Sequence, residues 1–291
     1  MKRIAGWLRI PAALSWRALY GLAAVIAWLL RRVVCFRVAV VRANLKRCFP
    51  GMDAATRERV IVRHYREMTG AVLEMFKLAT LTEEELRTRV VLLNPEVLHA
   101  ELQAGRHAMV LSAHQGNWEW LLQRIALEYR PFICAYKPPR SARFERDLLA
   151  LRSRFGAQMV PAKGLLRVLL RTRGPHVAGL AADQMPRSSP SRVWLPFLGQ
   201  TTAFYPGPAE IAGRYGYGAW FLAMQRVSDG HYEVELQPIA AFSEKLDPTE
   251  FTRRYAARVE AQLQRAPSDW AWGHRRWKLD PPEGLPRDEV L

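Results

Sequence analysis

The chain has little cysteine, and its first fifty-two residues contain no acid at all. Its three cysteines, Cys35, Cys48 and Cys134, are scattered among 291 residues and odd in number. They fit neither a disulfide framework nor a zinc ligand set, which points to a reducing compartment. No segment of roughly twenty to fifty residues recurs, so solenoid and propeller architectures are excluded. No stretch is low in complexity, and no serine lies in the Gly-x-Ser-x-Gly setting of a nucleophile elbow. Neither a metal nor an organic cofactor is implied.

What is abundant is positive charge. Lys and Arg number 43 against 27 acids, a formal net charge of +16. Such an excess favours an anionic partner: nucleic acid, an acidic lipid surface or an acidic carrier protein. Residues 1–52 hold ten Lys or Arg before the first acid, Asp53, interleaved with Trp7, Trp16, Trp28 and a block of Ala, Leu, Val and Ile. Basic residues around an apolar, tryptophan-bearing segment suit an anionic membrane surface better than a DNA-reading arm. The thirteen uncharged residues Ala18 to Leu30 make only about 20 Å of helix, against a hydrocarbon core of about 30 Å. Starting at Ile10 lengthens the run but encloses Arg17, which would have to snorkel. The expectation is an N-terminal membrane helix, spanning or in-plane, with a soluble core helix as the alternative. A cleaved signal peptide is disfavoured by Arg31–Arg32 directly after the apolar block. Residues 1–40 are then an anchoring segment, 41–280 a catalytic domain and 281–291 a loosely ordered tail.

From Asp53 onward strand and helix patterns alternate. Helical patterns cover 54–78, 81–89, 118–129, 142–155, 165–171, 209–215 and 248–264, and the second carries a capping box at Thr82 and Glu85. Strand patterns cover 107–113, 132–136, 159–160, 176–182, 219–223 and 232–236. This alternation predicts an α/β fold with a partly parallel central sheet and helices on both faces.

The candidate chemistry lies where the strand 107–113 ends, in LSAHQGNWEW at 111–120. Gly116 permits a tight turn, Asn117 is a plausible N-cap, and Glu119 falls in the first turn of the next helix. His114 and Glu119 can converge across such a corner. A carboxylate on one imidazole nitrogen fixes the tautomer and leaves the other free to take a proton. The bare spacing carries nothing, since His-x4-acid arises by chance about 0.65 times in such a composition. The place at a strand's carboxyl end carries more, because ligands of open α/β sheets bind there. Asp183 ends the strand 176–182 in the same way. A capped structural histidine remains the competing reading of His114. Arg140, Arg143 and Arg146 form either a solvated helix face or a dock for an acidic carrier.

Five ordered segments resemble the bacterial lipid A late acyltransferases, a group related to the phosphatidylinositol mannoside acyltransferases. They are RANLKRCFPGMD at 42–53, LSAHQGNWEW at 111–120, LRSRFGAQMVPAKG at 151–164, the Asp-Gln loop through the Gly-Pro-Ala helix at 181–212, and PSDWAWGHRRWK at 267–278. The resemblance implies a glycerolipid-acyltransferase-like fold and transfer of an acyl chain from acyl carrier protein to a hydroxyl of a lipid A precursor. It places the reaction at the cytoplasmic face of the inner membrane, without nucleic acid. Acyl-coenzyme A is the alternative donor, and a glycerophospholipid, ornithine lipid or glycolipid the alternative acceptor. The family's catalytic pair falls on His114 and Glu119, its arginine on Arg152 or Arg154, and its aspartate on Asp183, with Asn117 beside them. Backbone N–H groups near Gly116, or a nearby arginine, would steady the oxyanion. The HRRWK block either packs with Arg275, Arg276 and Lys278 near anionic headgroups or joins the catalysis. Met185 and Phe204–Tyr205 depart from the usual family residues and bear on the acceptor.

Overall fold

A computed structural model describes residues 6–186 and 191–285. In chain order the elements are α1 (Gly6–Ala12), α2 (Trp16–Arg32), α3 (Val38–Cys48), α4 (Ala54–Lys77), α5 (Glu83–Arg89), β1 (Val90–Leu92), α6 (Glu96–Gln103) and β2 (Ala108–Ser112). Then come α7 (Trp118–Glu128), β3 (Phe132–Tyr136), α8 (Ala142–Arg152), β4 (Ala157–Pro161), α9 (Leu165–Arg171) and β5 (Val177–Ala181). The chain continues through β6 (Val193–Phe197), β7 (Gln200–Phe204), α10 (Gly207–Tyr215), β8 (Gly218–Ser228), β9 (His231–Ala240) and α11 (Pro248–Arg265).

Seven strands form one sheet in the order β1-β9-β8-β2-β5-β3-β4, and β6 and β7 form a separate antiparallel hairpin. Within the sheet every neighbouring pair is parallel except β8 with β9. Side chains alternate along a strand, so β2 sends Met109 and Leu111 into one core and Ala108 and Val110 into another on the opposite face. The first core is closed by α11 through Tyr255 and Val259 and by α4 through Ile61 and Tyr65. The second is closed by α7 through Trp120 and Ile125 and by α5 through Leu86.

The expected N-terminal membrane helix needs correction. Among the described residues no helix is long and apolar enough to cross a membrane. The apolar block becomes α2, seventeen residues with Ser15 as N-cap and Arg17 inside it. At about 1.5 Å per residue this is some 25 Å of helix. One face, Leu19, Ala23 and Ala27, is buried, and Leu19 and Ala23 pack with Leu73 of α4. The sequence pattern counted apolar residues without seeing that their small members match a neighbouring helix. The opposite face leaves Leu22, Val25, Trp28 and Leu29 exposed. Of the expected loose tail, residues 286–291 lie outside the described residues, as do 187–190 of the segment 181–212 that begins with the Asp-Gln loop.

Candidate active site

Parallel pairing explains how the site assembles. Ser112 of β2 faces Ala181 of β5 in register, and His114 and Asp183 each lie two residues beyond that pair. Parallel neighbours end on the same side of the sheet, so the two side chains meet there. His114 Nδ1 lies 2.7 Å from Asp183 Oδ1, and the His114 backbone N–H donates to Asp183 Oδ2 at 3.0 Å. The Trp270 indole N–H donates to the same Oδ2 at 2.8 Å. Asp183 is only 1% exposed, whereas the His114 side chain keeps 26% exposure.

The carboxylate hydrogen-bonded to the imidazole is therefore Asp183, where the sequence pointed to Glu119. Glu119 lies on the same cavity but is held elsewhere. The guanidinium of Arg152 forks onto it, with Nε donating to Oε2 at 2.8 Å and Nη2 donating to Oε1. The Trp118 indole N–H donates to Glu119 Oε1 at 3.2 Å, and its ring lies edge-on to His114 at 5.5 Å. Of the two candidate arginines, Arg152 lines the cavity, while Arg154 donates to the carbonyls of Leu78 and Leu81 behind α4. Asn117 is an N-cap, accepting from the Trp120 N–H at 3.0 Å, and is 1% exposed. It shapes the corner and does not line the cavity.

The His114 turn is clamped from two sides. Gly116 has φ +57°, and a Cβ there would sit 3.0 Å from Met224 Sδ. Its N–H donates to Asp269 Oδ1 at 2.9 Å, which removes it as an oxyanion donor. Ala271 N–H donates to the His114 carbonyl at 3.0 Å. On the other side Glu74 of α4, wholly buried, accepts from Asn117 Nδ2 at 2.7 Å, Tyr20 at 2.8 Å and Tyr232 at 2.6 Å, with Arg226 at 3.2 Å. Burial of so many polar groups is tolerable because each side chain bonds to Glu74, with only Arg226 Nε left without a hydrogen-bond partner among these groups.

Burial opposes charge on His114, but the Asp183 carboxylate beside it, their hydrogen bond and the nearby Glu119 outweigh that, with Arg152 acting the other way. The net effect raises its pKa above the ordinary histidine value. For Asp183 burial likewise opposes ionisation, yet the His114 charge and the hydrogen bonds from His114 and Trp270 hold it at about 2. The carboxylate is thus fixed as an acceptor, Nδ1 carries the proton, and Nε2 is the nitrogen left for chemistry.

His114, Glu119 and Arg152 form the polar end of a cavity of about 400 Å³. Lys137 and Gln184 also line it, and its apolar wall runs over Ile125, Phe132, Cys134 and Leu222, side chains of the core under α7. Tyr205 stands at its rim, 47% exposed. Its size and largely apolar lining with a few convergent polar groups are those of a small-ligand site. A larger groove of about 580 Å³, between α2, α4 and the β8–β9 turn, lies away from His114, and its Arg63 and Arg66 are paired with Glu67 and Asp229. Among the described residues no three His, Cys, Asp or Glu side chains gather as a metal site would need.

Sequence reasoning passed over Glu74, Asp269 and Trp270. Trp270 and Asp269 lie in PSDWAWGHRRWK, which was read for its basic end rather than for its Asp-Trp pair. That basic end needs correction too, because Arg276 is 1% exposed and cannot lie near headgroups.

The profile described as bacterial lipid A biosynthesis acyltransferase matches residues 3–279. The chain belongs to that family. Family membership makes it an acyltransferase. It is similar to a lipid A biosynthesis lauroyltransferase of Escherichia coli, 24% identical over 97% of this chain and 92% of the relative. It is also similar to a phosphatidylinositol mannoside acyltransferase of Mycolicibacterium smegmatis, 25% identical over 71% of this chain and 68% of that protein. A palmitoleoyltransferase of lipid A biosynthesis from Escherichia coli is 22% identical over 84% of the chain and 80% of its own length.

Proposed function

We propose that this chain moves a fatty acyl group from a carrier thioester to a hydroxyl of a lipid A precursor, with His114 as the general base. One observation carries the reading. The imidazole has Nδ1 tied to a buried aspartate and stands at the polar end of a cavity with an apolar wall. His114 Nε2 takes the hydroxyl proton as the alcohol oxygen attacks the thioester carbonyl. The tetrahedral oxyanion then collapses, the C–S bond breaks, and the proton passes from Nε2 to the departing sulfur. General-base assistance of this kind contributes about 10²–10⁴-fold. Arg152, which lines the cavity and has Nη1 left over from its fork onto Glu119, is the donor for the developing oxyanion in this reading, and one such donor contributes about 3–4 kcal/mol. Glu119 holds that guanidinium in place through its paired hydrogen bonds and adds negative potential at the imidazole.

The acyl carrier protein as donor fits the chain's +16 charge, since such carriers are acidic. Reaction at the cytoplasmic face of the inner membrane fits the exposed Leu22, Val25, Trp28 and Leu29 of α2, among which no acid occurs. The test is mass spectrometry of products when purified protein in anionic lipid vesicles receives a lipid A precursor with acyl-carrier or acyl-coenzyme A thioesters. The expected outcome is acylated precursor from the carrier thioester, absent with His114→Ala. Acylation of a glycerophospholipid, ornithine lipid or glycolipid in preference to the precursor would replace this acceptor, and full turnover by the alanine variant would refute the base.

A further inference from the structure

Arg276 follows α11 in the chain and is almost completely enclosed, at 1% exposure. Its Nε and both Nη atoms are without a hydrogen-bond partner, and no ion pair to it is formed among the described residues. The guanidinium lies 4.6 Å from the Phe204 ring centroid, a cation–π contact. A desolvated cation without an acid bonded to it is costly, and its cost falls only where negative charge lies within electrostatic reach. Burial lowers its pKa to about 10, against the opposing influence of Asp183 and Tyr255, so it stays charged at neutral pH.

The packing around it leads to the catalytic carboxylate. Phe204, which carries the cation, stacks edge-on with Tyr255 at 6.5 Å and with Phe197 at 5.5 Å. Phe197 in turn packs on Trp270 at 6.1 Å, and Trp270 donates to Asp183. Tyr255 donates to the Ser112 carbonyl at 2.9 Å, two residues before His114. Asp183 receives only donors: the His114 backbone N–H, the imidazole and the Trp270 indole. That arrangement works only while Asp183 is ionised, and in a dry interior a buried counter-charge helps keep it so.

We infer that Arg276 is a positioning residue, a buried cation held on Phe204 in the aromatic cluster that also bears Trp270, where it keeps the Asp183 carboxylate ionised and His114 in its Nδ1–H form. The inference rests on His114 being the base. The charged groups acting on the imidazole are Asp183, Glu119 and Arg152; the one acting on Arg276 is Asp183, with the titratable but neutral phenol of Tyr255 beside it. Only Arg276 is changed by the test. Removing its charge leaves Asp183 and His114 a net buried negative charge, which draws a proton onto the ring.

The experiment compares wild type, Arg276→Lys and Arg276→Met by two readouts: the pH profile of kcat/KM and the ¹⁵N titration of the His114 ring. In the methionine variant the ring pKa and the acid limb should both rise by about one pH unit, cutting activity near neutrality by up to about tenfold. The lysine variant should keep both near the wild-type position. An unmoved ring titration in the methionine variant overturns the inference, whatever happens to the rate. If that variant does not fold, a displaced ring titration in the lysine variant overturns it instead. A ring that titrates higher while the acid limb stays put upholds the electrostatic role and refutes His114 as the base.

Discussion

Replacing Asp183 by Asn should be more damaging than its small size suggests. Asp183 Oδ2 accepts from two fixed donors, the His114 backbone N–H and the Trp270 indole. The amide oxygen of an asparagine must take that place. Its NH2 group is then directed at Nδ1, 2.7 Å away in the native pair. An amide cannot accept there, so Nδ1 becomes the acceptor and the ring proton moves to Nε2. The base is then blocked at the nitrogen it needs. Loss of the correct tautomer in a comparable His–Asp pair costs about 10⁴ in kcat, and about 10³–10⁴ is expected here. The fold should survive, because the two donors on Oδ2 keep their acceptor. Turnover of carrier thioester, measured beside thermal unfolding, tests this. A folded asparagine variant within tenfold of wild-type kcat would refute the tautomer argument.

Three other outcomes are expected. Because the His114 pKa lies above the ordinary value and the base must be neutral, kcat/KM should fall as pH drops through a midpoint above 6.5; a midpoint below 6.5 would contradict the Asp183 pairing. His64, buried and held at about 4 by desolvation against its Ser268 hydrogen bond and Glu67, contributes stability that is complete above its unfolded pKa near 6.5 and disappears as pH falls toward 4. That loss is about 3 kcal/mol at its limit, His107 and His176 act in the same direction, and His64→Gln should flatten the decline in denaturant midpoint over this window. Gly116→Ala forces a left-handed residue and a contact at 3.0 Å from Met224, so about 1–2 kcal/mol of stability should be lost, together with activity; unchanged unfolding would show the turn less constrained than its φ implies.

The body of the sheet could be read from the chain because its strands are short buried runs between amphipathic helices. The pattern at 132–136 coincides with β3 and that at 165–171 with α9. Shorter pieces escaped. The three-residue β1 pairs only with distant β9, and the β6–β7 hairpin lies in a Pro-rich stretch whose hydrophobic residues alternate poorly. At the site His114 was legible as a polar residue past a strand end. Asp183 was legible in the same way, but that its carboxylate would be the one hydrogen-bonded to the imidazole was not, because β5 joins β2 only after the chain has built β3 and β4 beyond it. Nor did spacing show that Glu119 would find Arg152 thirty-three residues away, or that one arginine of a basic block would turn inward. Each depends on which strands become neighbours, which local pattern does not encode.

Glu74 has one more implication. The same side chain that ties down Tyr20 of α2 also holds Asn117, the residue that starts the helix bearing Glu119. Prising the outer apolar helix away from the body would therefore slacken the corner where the imidazole stands. Whatever grips that helix from outside would act on the spot where bonds are exchanged through this enclosed anion and through the edge-on contact of Trp16 with Trp120.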